Sequence, residues 1–357
     1  MESASFSEEP FEITEAANAT VTNLLPARSK KLYEAAYHSF KDWCLQKSVK
    51  TFSENVMLVY FSEKAKNYKC STVWAQYSMV RSCMLIYDNI DISKFRKLVS
   101  FLKRNSDGYA PKKSKILNRE EVKTFLSEAD DDAHLMRKVV LIFGISVACR
   151  TDELVNLTTH NVNDMGSSFI ITLPFTKNKT SRTFVITGNI DGTDFLHLIR
   201  KYAALRPETI QHQRFFIFYK NGKCTTQPVG KNTLGKVPST IASFLKLPNP
   251  QLYTGHCLRR SSTTLLADAG ADITTIKRHG GWKSTTVAES YIENSIANKI
   301  NIANRINQGD SCSSNICNVI PETSSSDSNM LINKVLPINF SKCENITFNL
   351  NINNVPF

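Results

Sequence analysis

Residues 255–294 read GHCLRRSSTTLLADAGADITTIKRHGGWKSTTVAESYIEN, and this stretch is the most informative part of the chain. His256 and Arg259 are three positions apart, so on a helix they share one face and can reach one ligand. A pair of glycines breaks the helical pattern before Trp282, and Tyr291 follows on another short helical segment. A cation, a histidine, an indole N–H and a phenol on successive helices suit an anionic substrate and a hydroxyl nucleophile. The same residue types are common on the polar surface of a helical bundle, so the rest of the chain has to decide.

The order His-x-x-Arg, Gly-Gly-Trp and a tyrosine nine positions after the tryptophan resembles the catalytic signature of the tyrosine recombinases, or phage integrase family. In most members a second histidine occupies the position of Trp282. The tryptophan form is similar to Cre-like enzymes and to eukaryotic mobile-element branches such as Crypton- and DIRS-type recombinases. The resemblance implies that Tyr291 is the nucleophile and that Arg259 and His256 contact the scissile phosphate. Trp282 would donate its indole N–H to that phosphate or pack beside it, and His279 would be a nearby residue outside the second-histidine position.

Two upstream motifs extend the resemblance. The run Arg150-Thr-Asp-Glu-Leu resembles the family's first arginine motif, Arg-x-x-Glu-Leu, and we expect Glu153 to orient an arginine or to support the neighbouring histidine. A lysine between two predicted strands can reach the leaving 5′ oxygen as a general acid. Lys177 and Lys179 have the same strand parity, so alternation cannot separate them, and the resemblance favours Lys177. Taken alone, these residues would read as an ordinary helix-terminal arginine and a solvated hairpin tip.

The composition favours a polyanionic partner. The chain has 44 lysines and arginines against 32 acidic residues, a formal net charge of +12, which points to nucleic acid first and a membrane surface second. None of its nine cysteines forms a Cys-x-x-Cys pair, so neither a zinc ribbon nor a redox motif is indicated. The sequence shows no signal peptide and no apolar run that could span a bilayer, so cytosol or nucleus is the expected compartment.

Composition and periodicity divide the chain into two folded regions with a tail at each end. Residues 1–26 are acidic and aperiodic, which predicts a disordered tail. Residues 27–106 contain helix-length stretches separated by turn signals, and this helical domain resembles the SAM-like core-binding domain of integrases. Residues 118–306 combine an apolar helix, a β-hairpin and further helices. Residues 307–357 form a Ser/Asn-rich tail with strand-like alternation near its end. The predicted fold is mainly α, in the α+β class, with a small antiparallel sheet.

A basic linker is predicted between the two folded regions. Residues 107–117 contain glycine and proline, followed by Lys112, Lys113 and Lys115. A nuclear-localisation signal is one interpretation of these lysines. The family resemblance supports another, a linker that crosses the DNA backbone and contacts phosphates.

The resemblance implies a site-specific DNA recombinase or integrase. Such an enzyme clamps double-stranded DNA between its two domains, forms a covalent 3′-phosphotyrosine intermediate and works as a synaptic tetramer, without a membrane partner. No metal or other cofactor is expected, because guanidinium groups supply the positive charge and the phosphotyrosine retains the bond energy. The main alternative is a domesticated, mobile-element-derived DNA-binding protein without recombinase activity. A type IB topoisomerase shares the chemistry but fits Gly-Gly-Trp less well. We expect a nuclear location in a eukaryote, and otherwise the cytoplasm with the DNA.

Overall fold

The computed structural model describes residues 11–174, 181–190, 192–292 and 295–308. The chain divides into two units, one ending at Ser295 and one beginning at Ile296. The candidate lysines Lys177 and Lys179, and the strand-like pattern near the C-terminus, lie outside the described residues. Within the described part of the chain, no helix is long and apolar enough to cross a membrane.

Helices in the N-terminal region enclose an apolar cluster of their own. They are α1 Phe11–Thr22, α2 Lys30–Gln46, α3 Glu54–Asn67, α4 Cys70–Tyr87 and α5 Arg96–Arg104, with a 3₁₀ turn at Ile92–Lys94. Phe40 of α2, Met57 and Phe61 of α3, Val80 of α4 and Leu98 of α5 are completely buried in this cluster. Helices α2 to α5 therefore each contribute an apolar face to this cluster.

The N-terminal acidic segment differs from its prediction. Disorder was expected for residues 1–26, but Phe11–Thr22 forms α1. Its sequence, FEITEAANATVT, contains glutamate and alanine, which favour helix even where no apolar face is present. Leu25, just after the helix, is only 4% exposed and packs in the N-terminal cluster. Local helix propensity and this one apolar anchor therefore order a segment whose composition suggested a tail.

The second region of the first unit combines helices with short antiparallel strands. Its helices are α6 Arg119–Glu128, α7 Asp131–Val147, α8 Thr151–Asn156, α9 Phe195–Ala204, α10 Lys231–Phe244, α11 Cys257–Asp268, α12 Ile273–Gly280 and α13 Thr285–Ile292. Its strands are β1 Val162–Asp164, β2 Ser168–Leu173, β3 Arg182–Thr187, β4 Asn189–Ile190, β5 Thr193–Asp194, β6 Ile217–Lys220 and β7 Lys223–Pro228. The second unit contains α14, Ile296–Gln308, whose Ile296, Ile300 and Ile306 are exposed.

Helix α7 forms the centre of this second core. Eleven of its seventeen residues are buried, as expected for a helix that is covered on all sides. Gly144 allows α11 to approach closely, because a Cβ at that position would lie 2.5 Å from Leu258 Cδ1. The helix ends at Ala148, which has left-handed backbone dihedrals (φ 48°, ψ 40°). This ending turns the chain towards Arg150 and leaves the Ala148 carbonyl facing α11.

The largest sheet has the order β1-β2-β3 and is antiparallel throughout. Residues of β2 alternate between buried and half-buried, so one face covers the core. Leu173 pairs with Arg182 at the end of the β2–β3 ladder, next to the segment that carries the two candidate lysines. The hairpin was predicted from the β-branched runs at 169–173 and 183–186. The predicted fold class is confirmed: mainly helical, α+β, with small antiparallel sheets.

Candidate active site

Arg259 is the most buried cation of the site. It lies on α11 and is 1% exposed. Its Nη1 donates to the Ala148 carbonyl oxygen at 2.6 Å, and its Nη2 donates to the Gly280 carbonyl oxygen. Burial, and then the charge of Arg150, lowers the pKa of Arg259 to about 10, so the guanidinium stays protonated at neutral pH. A guanidinium carries more N–H donors than these two bonds use, so Arg259 can still bind an anion.

Arg150 lies directly before α8 and is held by Glu153. Arg150 Nη1 donates to Glu153 Oε1 at 2.6 Å, and the Arg150 backbone N–H donates to Oε2 at 2.8 Å. The side chains are 22% and 10% exposed, so this ion pair is largely shielded from water. Glu153 therefore orients an arginine, the first of the two alternatives that the sequence left open.

His256 directly precedes α11 and is near enough to Arg150 to feel its charge. Thr151 Oγ1 donates to the Gly255 carbonyl oxygen at 3.1 Å, which ties the start of α8 to the start of α11. A Cβ at Gly255 would lie 2.6 Å from that hydroxyl, so this approach requires glycine. Burial, and then the charges of Arg259, Arg150 and Arg260, lowers the pKa of His256, which favours the neutral imidazole near pH 7.

Trp282 contacts both Arg259 and Tyr291. Its ring centroid is 4.7 Å from the Arg259 guanidinium carbon and 4.4 Å from the Tyr291 centroid, with the two rings 30° from parallel. Gly280 also meets this ring, since a Cβ there would overlap it, and Gly281 follows in a left-handed conformation (φ 63°) that turns the chain back. The tryptophan thus contacts both a buried cation and the candidate nucleophile.

His279, a further candidate from the sequence, contacts other residues. His279 is buried, and its Nε2 is 2.7 Å from Ser262 Oγ. Burial, and then the charges of Arg182 and Arg259, lowers the pKa of His279 to about 4, so it is neutral at pH 7. Its side chain faces Ser262 and the edge of Phe184, which makes it part of the packing behind the site.

The linker lysines differ from one another. Lys112 and Lys113 are exposed, whereas Lys115 is half-buried. The Lys115 ammonium donates to the Pro248 carbonyl oxygen at 2.9 Å and lies 5.8 Å from the ring centroid of Tyr253. Lys115 therefore fastens the linker to the second region, which the sequence did not predict.

Two arginines near the site were missed from the sequence. Arg260 is 7% exposed, and its guanidinium carbon lies 5.5 Å from the ring centroid of Tyr291. A residue directly after Arg259 on a helix projects from a different face, so its spacing gave no reason to single it out. Arg182, the first residue of β3, donates to Glu153 Oε2 at 2.9 Å. The local pattern placed it in a basic hairpin tip, and nothing in the sequence indicated a carboxylate partner.

The site therefore joins Arg150, Glu153, His256, Arg259, Trp282 and Tyr291, with Arg182 and Arg260 against them. Residues 115–297 match the model of the phage integrase family. The chain belongs to the phage integrase family, the tyrosine recombinases. A search of curated proteins finds no match.

Several solved structures share the fold. The Tn1549 transposon integrase in complex with transposon right end DNA has a TM-score of 0.55 at 15% identity, covering 82% of this chain and 98% of that one. The XerH site-specific recombinase in a post-cleavage complex has a TM-score of 0.54 at 15% identity, covering 72% and 74%. A lambda integrase dimer bound to a core site has a TM-score of 0.51 at 11% identity, covering 80% and 94%.

Proposed function

We propose that this protein is a site-specific DNA recombinase or integrase that cleaves and rejoins DNA through a covalent 3′-phosphotyrosine at Tyr291. The observation that supports this most strongly is the continuous contact from Arg259 through Trp282 to Tyr291. A buried cation and a phenol that both contact one indole ring bring the candidate nucleophile into the same cluster as an anion-binding group. Family membership supports the same reaction.

Phosphate binding is assigned to Arg150, His256 and Arg259. Planar guanidinium groups donate paired hydrogen bonds to phosphate oxygens and stay charged in a shielded site. Both arginines are already held in place, Arg150 by Glu153 and Arg259 by two carbonyl oxygens. Their donors need little reorganisation when charge develops on the phosphate, which is how preorganised sites lower a barrier.

In the cleavage step, the Tyr291 phenol gives its proton to a base, for which the neutral imidazole of His256 is the candidate, its oxygen forms a bond to phosphorus, and the bond to the 5′ oxygen breaks. The leaving oxygen takes a proton from a general acid, for which Lys177 is our first candidate and Lys179 the second. Rejoining reverses the step: a 5′ hydroxyl attacks the phosphotyrosine and releases the phenol. No external energy source is required, because one phosphodiester bond is exchanged for another.

The proposed partner is double-stranded DNA, with further copies of the protein assembled on it as a synaptic tetramer. The net charge of +12 supports a polyanionic partner. The Tn1549, XerH and lambda proteins were each solved with DNA, the lambda integrase as a dimer. Trp282 in place of a histidine is the basis for proposing a Crypton- or DIRS-type mobile element, and hence a nuclear location.

A suicide-substrate assay tests the reaction. Nicked duplexes of candidate target sequence are incubated with the protein in EDTA, and adducts are separated on denaturing gels. We expect a covalent adduct on a 3′ phosphate that Tyr291→Phe abolishes without weakening DNA binding. Tyr253→Phe is the matched control, because Tyr253 is 5% exposed and packs against the linker lysine Lys115. Wild-type protein that binds duplex DNA but forms no adduct would support the alternative, a domesticated DNA-binding protein.

A further inference from the structure

Arg182 connects separate parts of the candidate site. Its side chain is 10% exposed, its Nη2 donates to Glu153 Oε2 at 2.9 Å, and its Nη1 donates to the His279 carbonyl oxygen at 3.2 Å. We propose that Arg182 is a positioning residue that holds Arg150 and Arg259 in their reactive arrangement. The proposal rests on the recombinase function proposed above.

The first connection runs through Glu153 to Arg150. Glu153 Oε1 accepts from Arg150 Nη1 at 2.6 Å, while Oε2 accepts from Arg182 Nη2 at 2.9 Å. The carboxylate is therefore fixed between two cations. Oε2 also accepts from the Arg150 backbone N–H at 2.8 Å, so without Arg182 this oxygen keeps a neutral donor but loses its charged one, and the broad terminal carboxyl torsion is restrained less. Because Glu153 forms the ion pair with the Arg150 side chain, a more mobile carboxylate would position Arg150 less firmly.

The second connection runs through the end of α12 to Arg259. The last carbonyl oxygens of a helix have no partner within that helix. Arg182 binds the carbonyl of His279, and Arg259 binds the next one, that of Gly280. Two guanidinium groups thus hold successive peptides directly before Trp282. Their positive charges also suit the negative end of the helix dipole.

The packing around Arg182 leaves little freedom for this turn. A Cβ at Gly281 would lie 2.9 Å from both Arg182 Cδ and Nη1, so backbone and guanidinium are in close contact. The guanidinium carbon also lies 5.1 Å from the ring centroid of Phe184. Arg182 pairs with Leu173 at the end of the β2–β3 ladder, so the same residue adjoins the segment that bears the candidate general acid.

The charge of Arg182 indicates positioning rather than filling of space. Its Nε is buried without a hydrogen-bond partner among the described residues, which an apolar side chain would avoid. Replacing buried ion pairs with apolar groups of similar volume is often neutral or stabilising, so stability alone does not account for this arginine. Its hydrogen bonds to two different elements do account for it.

The test measures cleavage and structure separately in the full-length protein. Single-turnover adduct formation on a saturating suicide substrate is compared for wild type, Arg182→Met, Arg182→Lys and Arg200→Met. We expect Arg182→Met to slow adduct formation about 100-fold while DNA affinity changes less than about threefold. Arg182→Lys should slow adduct formation about tenfold, because an ammonium can keep one hydrogen-bond partner but cannot bind two as the planar guanidinium does. Arg200→Met is the control, because Arg200 forms an ion pair with Asp164 at 2.7 Å in which both side chains are exposed, and this variant should cleave at the wild-type rate.

A second readout is independent of catalysis. The chain has three tryptophans, so 5-fluorotryptophan labelling gives three resonances, and Trp282→Phe assigns the one of interest. That resonance should move or broaden in Arg182→Met, and not in Arg200→Met, if the turn before Trp282 is released. An Arg182→Met protein with an unchanged resonance and a near wild-type cleavage rate would overturn the proposal. If wild type forms no adduct, the recombinase function fails, and the resonance alone then decides whether Arg182 positions the turn.

Discussion

Trp282 offers the most direct test of how the site is built. Trp282→Ala removes the ring that lies 4.4 Å from Tyr291 and 4.7 Å from the Arg259 guanidinium carbon. The aromatic pair contributes about 0.5–1.5 kcal/mol beyond the buried area. The cation–π contact contributes about 2 kcal/mol when desolvated, and Arg259 is only 1% exposed. If both contributions are lost from the transition state, cleavage should slow roughly 100-fold, because each increase of about 1.4 kcal/mol in the barrier slows a reaction tenfold.

Trp282→Phe separates packing from hydrogen bonding. Phenylalanine keeps a stacked ring and a weaker cation–π contact but has no N–H donor, so the expected loss is about tenfold. Both variants are assayed by single-turnover adduct formation at saturating DNA, with thermal unfolding measured on the same preparations. The reasoning is refuted if Trp282→Ala cleaves at the wild-type rate. If Phe is as slow as Ala, the indole N–H is the essential group and packing is not.

Three further predictions concern binding, proton transfer and folding. Neutralising Lys112 and Lys113 should flatten the salt dependence of DNA affinity by up to about two units of slope, measured by titration across salt concentrations. Adding Lys115→Ala to that variant should change the slope little, because the Lys115 ammonium donates to the Pro248 carbonyl oxygen. A further decrease of one full unit in the slope would show that Lys115 contacts a phosphate instead. The Lys177→Ala variant should cleave ordinary DNA slowly, and a substrate with a 5′-bridging phosphorothiolate should restore its rate, because sulfur leaves without a proton. If this substrate rescues Lys179→Ala instead, our ranking of the two lysines is reversed. His279 has a folded pKa of about 4 against an unfolded value of 6.5, so the unfolded state binds more protons between these values and stability falls as pH drops from 6.5 to 4. The loss is about 3 kcal/mol, and unfolding midpoints measured against pH should depend less on pH in His279→Gln.

The order of the motifs could be read from the sequence because each motif is local. Two side chains three positions apart on a helix share a face whatever the rest of the fold does, which is why His256 and Arg259 were found. The glycines before Trp282 predicted a break in the helix, and β-branched runs predicted the hairpin. Composition alone was less reliable: it indicated disorder where Phe11–Thr22 forms a helix.

The tertiary structure alone decided how these motifs meet. Arg259 binds Ala148 across a sequence separation of 111 residues, and Arg182 binds His279 across 97. No local pattern encodes such contacts, because they depend on the crossing of α7 and α11 at Gly144 and on a left-handed residue at the end of α7. The sequence singled out Arg259 only as a local pair with His256, and it gave no reason to single out Arg182. The two arginines became parts of one site only when the packing of distant elements buried them beside their partners.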